Sequence, residues 1–348
     1  MIKIRNFLLM CVLAFLLTGC LDDAAQALTI LEESNEQRPL TIAERLTSES
    51  MRQLEQRHAV SPEQERYLAF GAILLTNNRQ SSRILELYGV SRRDAADLIR
   101  GSWGIVCRET ALTQLRNVAS GNQQSLVADD IFHAIVRRTI AERAAVFYDL
   151  GIIEVFTDFV VFETFDAVEI FENQTDLSGL ENVLSVSFTR ATRRMHSFYD
   201  FFEMLEENNA GLEVEEAFEL YVLLEFTDRI NRGLSAYQSA RIGLLNTHGF
   251  TVEELRNIQT LAAWDYGRAV FVARYSIAAG HLNPDDVWPY LQMAAKNAAR
   301  TYSCFREFTA AYVLGRALAF GNSSVDMTRA IEFLLTHEES PFLSVSFR

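Results

Sequence analysis

The sequence predicts an all-α fold, a multi-helix globular domain over residues 40–348 with a long antiparallel helical hairpin, 178–246, at its centre. Three observations lead there. No proline occurs between Pro62 and Pro284, and proline is expelled from helix interiors. A capping residue followed three positions on by Glu, Gln or Asp recurs at Thr41/Glu44, Ser61/Gln64, Ser91/Asp94, Ser178/Glu181 and Thr251/Glu254, the arrangement that satisfies the first free N–H groups of a helix. Apolar residues also return at spacings of three and four, the period of a helix buried on one face.

Taken in order, Tyr67, Leu68, Gly71, Ala72 and Leu75 line one helical face. Phe132, Ile135, Val136, Val146, Phe147 and Leu150 suggest another, ending at Gly151. The stretch Phe156 to Phe171 mixes aromatics and Val with Asp and Glu and reads either as helix or as a short strand pair. In the middle, Leu184, Phe188, Ala191, Met195, Phe198, Phe202 and Leu205 alternate by four and three. Leu220, Leu223, Thr227, Ile230, Leu234, Tyr237, Arg241 and Leu244 do the same. The breaker cluster Glu206-Glu207-Asn208-Asn209-Ala210-Gly211 lies between them. Such a repeat on two helices joined by a turn describes a helical hairpin, with a first arm of roughly 33 Å. The stripes either pack into the core or form a protruding arm. Asn283-Pro284 marks a later helix start, with Asn as cap and Pro in the first turn.

The N-terminal residues point to a cell compartment. Lys3 and Arg5 precede an apolar run from Phe7 to Leu17, then Leu17-Thr18-Gly19-Cys20. A membrane-spanning helix needs about 20 apolar residues, and this run is shorter. The pattern resembles a bacterial lipoprotein signal peptide, residues 1–19, with Cys20 as the lipidated first residue of the mature chain. The resemblance implies a membrane anchored through lipid as one partner. Leu21, where Asp would favour inner-membrane retention, implies an outer-membrane address facing the periplasm. Residues 20–39 are mostly polar and read as a flexible tether with a reach of roughly 25 Å.

A formal net charge of −14 argues against nucleic acid or an anionic lipid surface as the main partner. Past the signal segment, Lys296 is the only lysine. Cys11 leaves with the signal, so Cys107 and Cys304 remain. In an oxidising compartment they form either a disulfide or two unpaired buried thiols.

The most specific text is Ala263-Trp264-Asp265-Tyr266-Gly267-Arg268, then Ala279-Gly280-His281, Trp288 and Gly315-Arg316. Upstream stands Trp103-Gly104-Ile105, followed by Arg108-Glu109. This combination resembles the bacterial domain-of-unknown-function family 1266 over about residues 67–118 and 240–321. The chain departs from the family pattern at His281, where Tyr is usual, and at Cys304-Phe305, where Ser-Trp is usual. The resemblance implies a helical fold and no assigned activity.

The residues of that text also carry a reading of their own. Trp264, Gly267, Phe271 and Tyr275 share a helical face, with Arg268 at its flank and Asp265 three residues before it, within side-chain reach. Phe305, Phe308, Tyr312 and Ala319 form a second face, with Gly315-Arg316 on it. Arg108 heads the stripe Leu112, Leu115, Ala119. Half-buried arginines need acceptors, because an unpaired buried charge is expensive. Either Asp265 and Glu109 accept from them and clamp the helices, or Trp103, Trp264, Tyr302, Arg108, Arg268 and Arg316 line a cleft for an anionic ligand.

No zinc-protease, paired-Cys, nucleophile-elbow or phosphate-loop motif occurs. No metal site, cofactor or catalytic nucleophile is therefore expected. The acidic pairs Asp129-Asp130, Glu206-Glu207 and Asp285-Asp286 read as solvated helix caps. Two functions remain: a non-catalytic envelope lipoprotein that binds another envelope protein, or an enzyme or small-anion binder using the Trp/Asp/Arg cluster.

Overall fold

A computed structural model of the chain describes residues 41–138, 152–156, 159–164, 179–207, 210–321 and 327–348. Cys20, the signal segment, the tether, Ser178 and the apolar positions Val146, Phe147 and Leu150 lie outside the described residues. The described chain is all-α apart from one short antiparallel strand pair, β1 (Ile152–Phe156) and β2 (Phe159–Thr164). That pair resolves the ambiguous aromatic stretch, as far as Thr164, in favour of strands. No described helix is long and apolar enough to cross a membrane.

Contacts divide the chain into two units. The larger begins with α1 (Ile42–Leu46), α2 (Glu49–Arg57), α3 (Pro62–Ala69), α4 (Ala72–Asn77), α5 (Arg92–Trp103), α6 (Arg108–Ala119) and α7 (Gln124–Ile131), the last running into a π-turn, Phe132–Val136. It also holds Gly179–Val183, which open α8 (Glu181–Arg193), and the part of α10 (Val214–Asn246) from Arg229 onward. It ends with α11 (Val252–Arg256), α12 (Ala263–Ala278), α13 (Pro284–Thr301), α14 (Phe305–Phe320), α15 (Thr328–Thr336) and α16 (Pro341–Ser344). The local start signals hold: full capping boxes form at Thr41/Glu44, Ser61/Gln64 and Thr251/Glu254, and Asn283 caps α13 with Pro284 in its first turn.

Helix α12 is the axis of this unit. Every residue from Ala263 to Ser276 is buried, the condition of a helix enclosed on all sides. It packs against α4, α5, α6, α7, α13 and α14. Two glycines permit a close approach of α12 and the turn before it to α14. A Cβ on Gly267 would fall 2.5 Å from the Tyr312 ring, and one on Gly315 would fall 2.8 Å from the Leu261 carbonyl oxygen. Phe70, Phe305, Phe308, Phe342 and Phe347 knot the C-terminal residues into the same core, with Phe305 and Phe342 stacked at 4.3 Å. The expected single face from Tyr67 to Leu75 is two helices, α3 and α4, with Gly71 between them against the Val270 side chain.

The smaller unit contains the strand pair, Leu184–Arg193 of α8, α9 (Met195–Glu207) and Val214–Asp228 of α10. Its core is Ala191, Phe198, Leu205, Ala217, Tyr221 and Val222. Helix α9 meets α10 through Phe198–Tyr221 and Phe201–Tyr221 ring contacts at 5.8 and 5.5 Å. The first arm of the expected hairpin is not one helix, because it breaks at Arg194. The break lets Phe188 and Phe198 both reach Phe218, at 5.9 and 5.2 Å, although ten residues of straight helix would hold them about 15 Å apart along the axis.

Candidate functional site

Asp265 lies in the first turn of α12 and is fully buried. Its Oδ2 accepts the backbone N–H groups of Gln123 and Ser125 at 2.9 and 3.1 Å. Those are among the free donors at the start of α7, whose own cap residue, Gln123, makes no side-chain cap bond. A carboxylate there satisfies orphan N–H groups and complements the helix dipole. Ser125 returns the contact, since its Oγ accepts the Asp265 N–H at 3.1 Å and donates to the Leu261 carbonyl at 3.3 Å.

The other Asp265 oxygen takes the ion pair from Arg268, which is 4 % exposed. The guanidinium carbon sits 4.6 Å from the Trp264 ring and 4.9 Å from the Trp103 ring, a cation held between two aromatic faces. Burial pushes the Arg268 pKa down, and Asp265 pulls it back up. The pair therefore joins α12 to α7 and to the end of α5, where Trp103 is half-buried.

Tyr302 is also buried, but at the entry to α12. Its hydroxyl accepts the Ala263 N–H and donates to the Thr260 carbonyl, both at 2.9 Å. Burial lifts its pKa well above the ordinary phenol value. Arg316 on α14 is half-buried. Arg108 is absent from the cluster: it is exposed and pairs with Asp286 of α13 at 2.7 Å. Glu109 is exposed and is not its acceptor. The backbone N–H of Asn283 and then Arg108 hold the Asp286 pKa below the usual carboxylate range.

Cys107 and Cys304 are free thiols, and both are exposed. Neither the disulfide nor the buried pair of thiols is found. Each stands at a helix start, before α6 and α14. Cys107 is committed locally, since its N–H donates to Thr110 Oγ1 at 3.1 Å. Hydrogen bonds from the backbone and hydroxyl of Thr110 draw its thiol pKa down.

The pair Asp129-Asp130 is not a freely solvated cap: both are half-buried and hydrogen-bonded to distant segments. Asp129 accepts the Leu261 N–H at 2.6 Å and the Thr260 hydroxyl, and burial raises its pKa. Asp130 accepts the N–H and side-chain amide of Asn182 at 2.8 and 3.1 Å, capping the start of α8. Sequence reasoning also missed Arg274, fully buried on α12. It donates to the carbonyls of Ser81, Leu85 and Glu86, and burial lowers its pKa to about 9. A charged residue inside the apolar run Val270–Ile277 was the available signal. Among the described residues, no group of three or more His, Cys, Asp or Glu is placed to hold a metal ion.

The architecture defines a helical protein whose most distinctive polar residues are spent on joining its own helices. A family model described as "Protein of unknown function (DUF1266)" matches residues 169–347, and the chain belongs to this family. The upstream part of the resemblance, 67–118, falls outside the matched span. No curated protein and no solved structure matches the chain.

Proposed function

We propose that the chain is a lipid-anchored protein of the bacterial cell envelope, held through Cys20 in the outer membrane facing the periplasm, whose helical head binds another envelope protein and catalyses nothing. The anchor rests on the sequence alone: the basic Lys3 and Arg5, the apolar run Phe7–Leu17 and the Leu17-Thr18-Gly19-Cys20 junction. The non-catalytic reading is carried by one observation. Both Asp265 oxygens are occupied by α7 and Arg268, and Arg268 is enclosed by Trp103 and Trp264. A buried carboxylate so engaged is not available as an acid, a base or a nucleophile.

The test is labelling in bacterial cells with a palmitate analogue, with membrane fractionation of wild type and Cys20→Ala. Lipid on the wild type in the outer-membrane fraction, and an unlabelled soluble variant, are expected. An unlabelled wild type would remove the anchor. In-cell crosslinking would then recover a single envelope protein in near-equal amount if the head is a binding module, and only background proteins if it is not.

A small-ligand reading keeps one observation of its own. Trp264 Nε1 and Arg268 Nε are buried without a hydrogen-bond partner among the described residues, and such donors usually have an acceptor. Thermal stabilisation of wild type by small carboxylates, lost in Trp264→Phe, would favour that reading.

A further inference from the structure

We infer that the smaller unit is the docking surface, and that its occupant is a cationic amphipathic helical segment of another protein. This rests on the binding-module reading and names its partner by charge and shape. The segment Phe198–Asp228 carries ten of the chain's 46 acidic residues and none of its 32 Lys and Arg. Glu225 is engaged by Arg190 and Arg194 at 3.0 and 3.4 Å. By contrast Glu203, Glu206, Glu207, Glu215, Glu216 and Glu219 are all exposed and make no ion pair with a described residue.

Helix start effects explain only some of them. Glu215 and Glu216 lie in the first turn of α10, where negative charge is favourable. Glu203, Glu206 and Glu207 are neighbours at three- and four-residue spacing in the last two turns of α9, which has no basic residue in its last turn. Like charges there repel one another and oppose the helix dipole. Among the described residues nothing relieves this unfavourable arrangement, and a cationic partner would.

The second observation is apolar. Phe188 is 51 % exposed and Tyr199 59 % exposed. They end a continuous run of ring contacts, Phe188–Phe218–Phe198–Tyr199, at 5.9, 5.2 and 5.6 Å. Exposed aromatics rimmed by charge mark interaction sites more often than ordinary surface. The acidic rim selects against anionic lipid and nucleic acid and for a basic segment with its own apolar stripe.

The experiment uses the full-length chain in non-ionic detergent at physiological salt. The probe is a fluorescent Lys/Leu peptide of about five helical turns with one Leu stripe, set against a peptide of the same composition with the stripe scrambled. The striped peptide is expected to bind at least about tenfold tighter than the scrambled one. Phe188→Ser/Tyr199→Ser should abolish that preference. Glu203→Gln/Glu206→Gln/Glu207→Gln should weaken striped-peptide binding by about tenfold or more. Glu253→Gln/Asp285→Asn/Glu338→Gln, the same charge change in the larger unit, should leave it unchanged. Equal binding of both peptides, or equal loss in both charge variants, would overturn the assignment. So would self-association of the wild type that Phe188→Ser/Tyr199→Ser disperses, which would make a second copy of the chain the occupant. Recovery of an envelope partner in cells, with these results negative, would leave the binding-module reading standing and remove only this surface.

Discussion

Asp265→Ala is expected to destabilise the larger unit by about 3–5 kcal/mol, the cost of leaving a buried charge without its partner. The substitution strands Arg268 between Trp103 and Trp264 with no carboxylate, and it removes the acceptor for the Gln123 and Ser125 N–H groups. A domain stable by about 5–15 kcal/mol would lose a large share of its margin. Asp265→Asn should cost less, because an amide oxygen still accepts at the α7 start while the ion pair is lost. Chemical denaturation followed by circular dichroism measures both. A midpoint shared by wild type and Asp265→Ala would show that these bonds contribute nothing to folding.

The second large effect concerns the extent of the folding unit. A fragment of residues 169–347, the span matched by the family model, is expected not to fold cooperatively. It lacks α4, α5, α6 and α7, four of the six helices packed on α12. It also lacks Asp129, Gln123 and Ser125, so Asp265 and the Thr260–Leu261 turn lose their partners. Helix α12 is buried on all sides, and the fragment would expose a broad part of its largely apolar surface, and the charge of Arg274, to water. Thermal unfolding of the fragment should show a shallow, non-cooperative loss of helix beside a sharp transition for the full chain. A sharp transition in both would place the folding boundary near residue 169 and contradict the packing described above.

The local features of the fold were legible in the sequence because they act over three or four residues. The capping boxes at Thr41, Ser61 and Thr251 and the Asn283-Pro284 start need only neighbouring atoms. Asp265–Arg268 was visible for the same reason, as an i, i+3 pair beside an apolar face. Gly267 and Gly315 stood on the helical faces read from the sequence, and the close approach they permit is seen only in the structure.

What stayed hidden acts across the chain. Asp129 meets Leu261 at a separation of 132 residues, and Asp265 meets Ser125 at 140. Nothing in the local text distinguishes such a carboxylate from a solvated one. Arg108 finds Asp286, 178 residues away, in place of adjacent Glu109. The break at Arg194 carries no Gly or Pro, and it follows from what Phe188 and Phe198 must both touch. The cysteines misled because compartment chemistry says which thiols meet an oxidant, not whether they share a face of the fold.

The Trp264–Asp265–Arg268 cluster ties α12 to α5 and α7. A double-mutant cycle on Asp265→Ala and Arg268→Ala tests it most directly, with unfolding free energy as the readout. The double variant is expected to be less destabilised than the sum of the singles, with a coupling of about 2 kcal/mol or more. Strictly additive effects within about 0.5 kcal/mol, or singles as stable as wild type, would contradict it and return these residues to the pool of candidate ligand contacts.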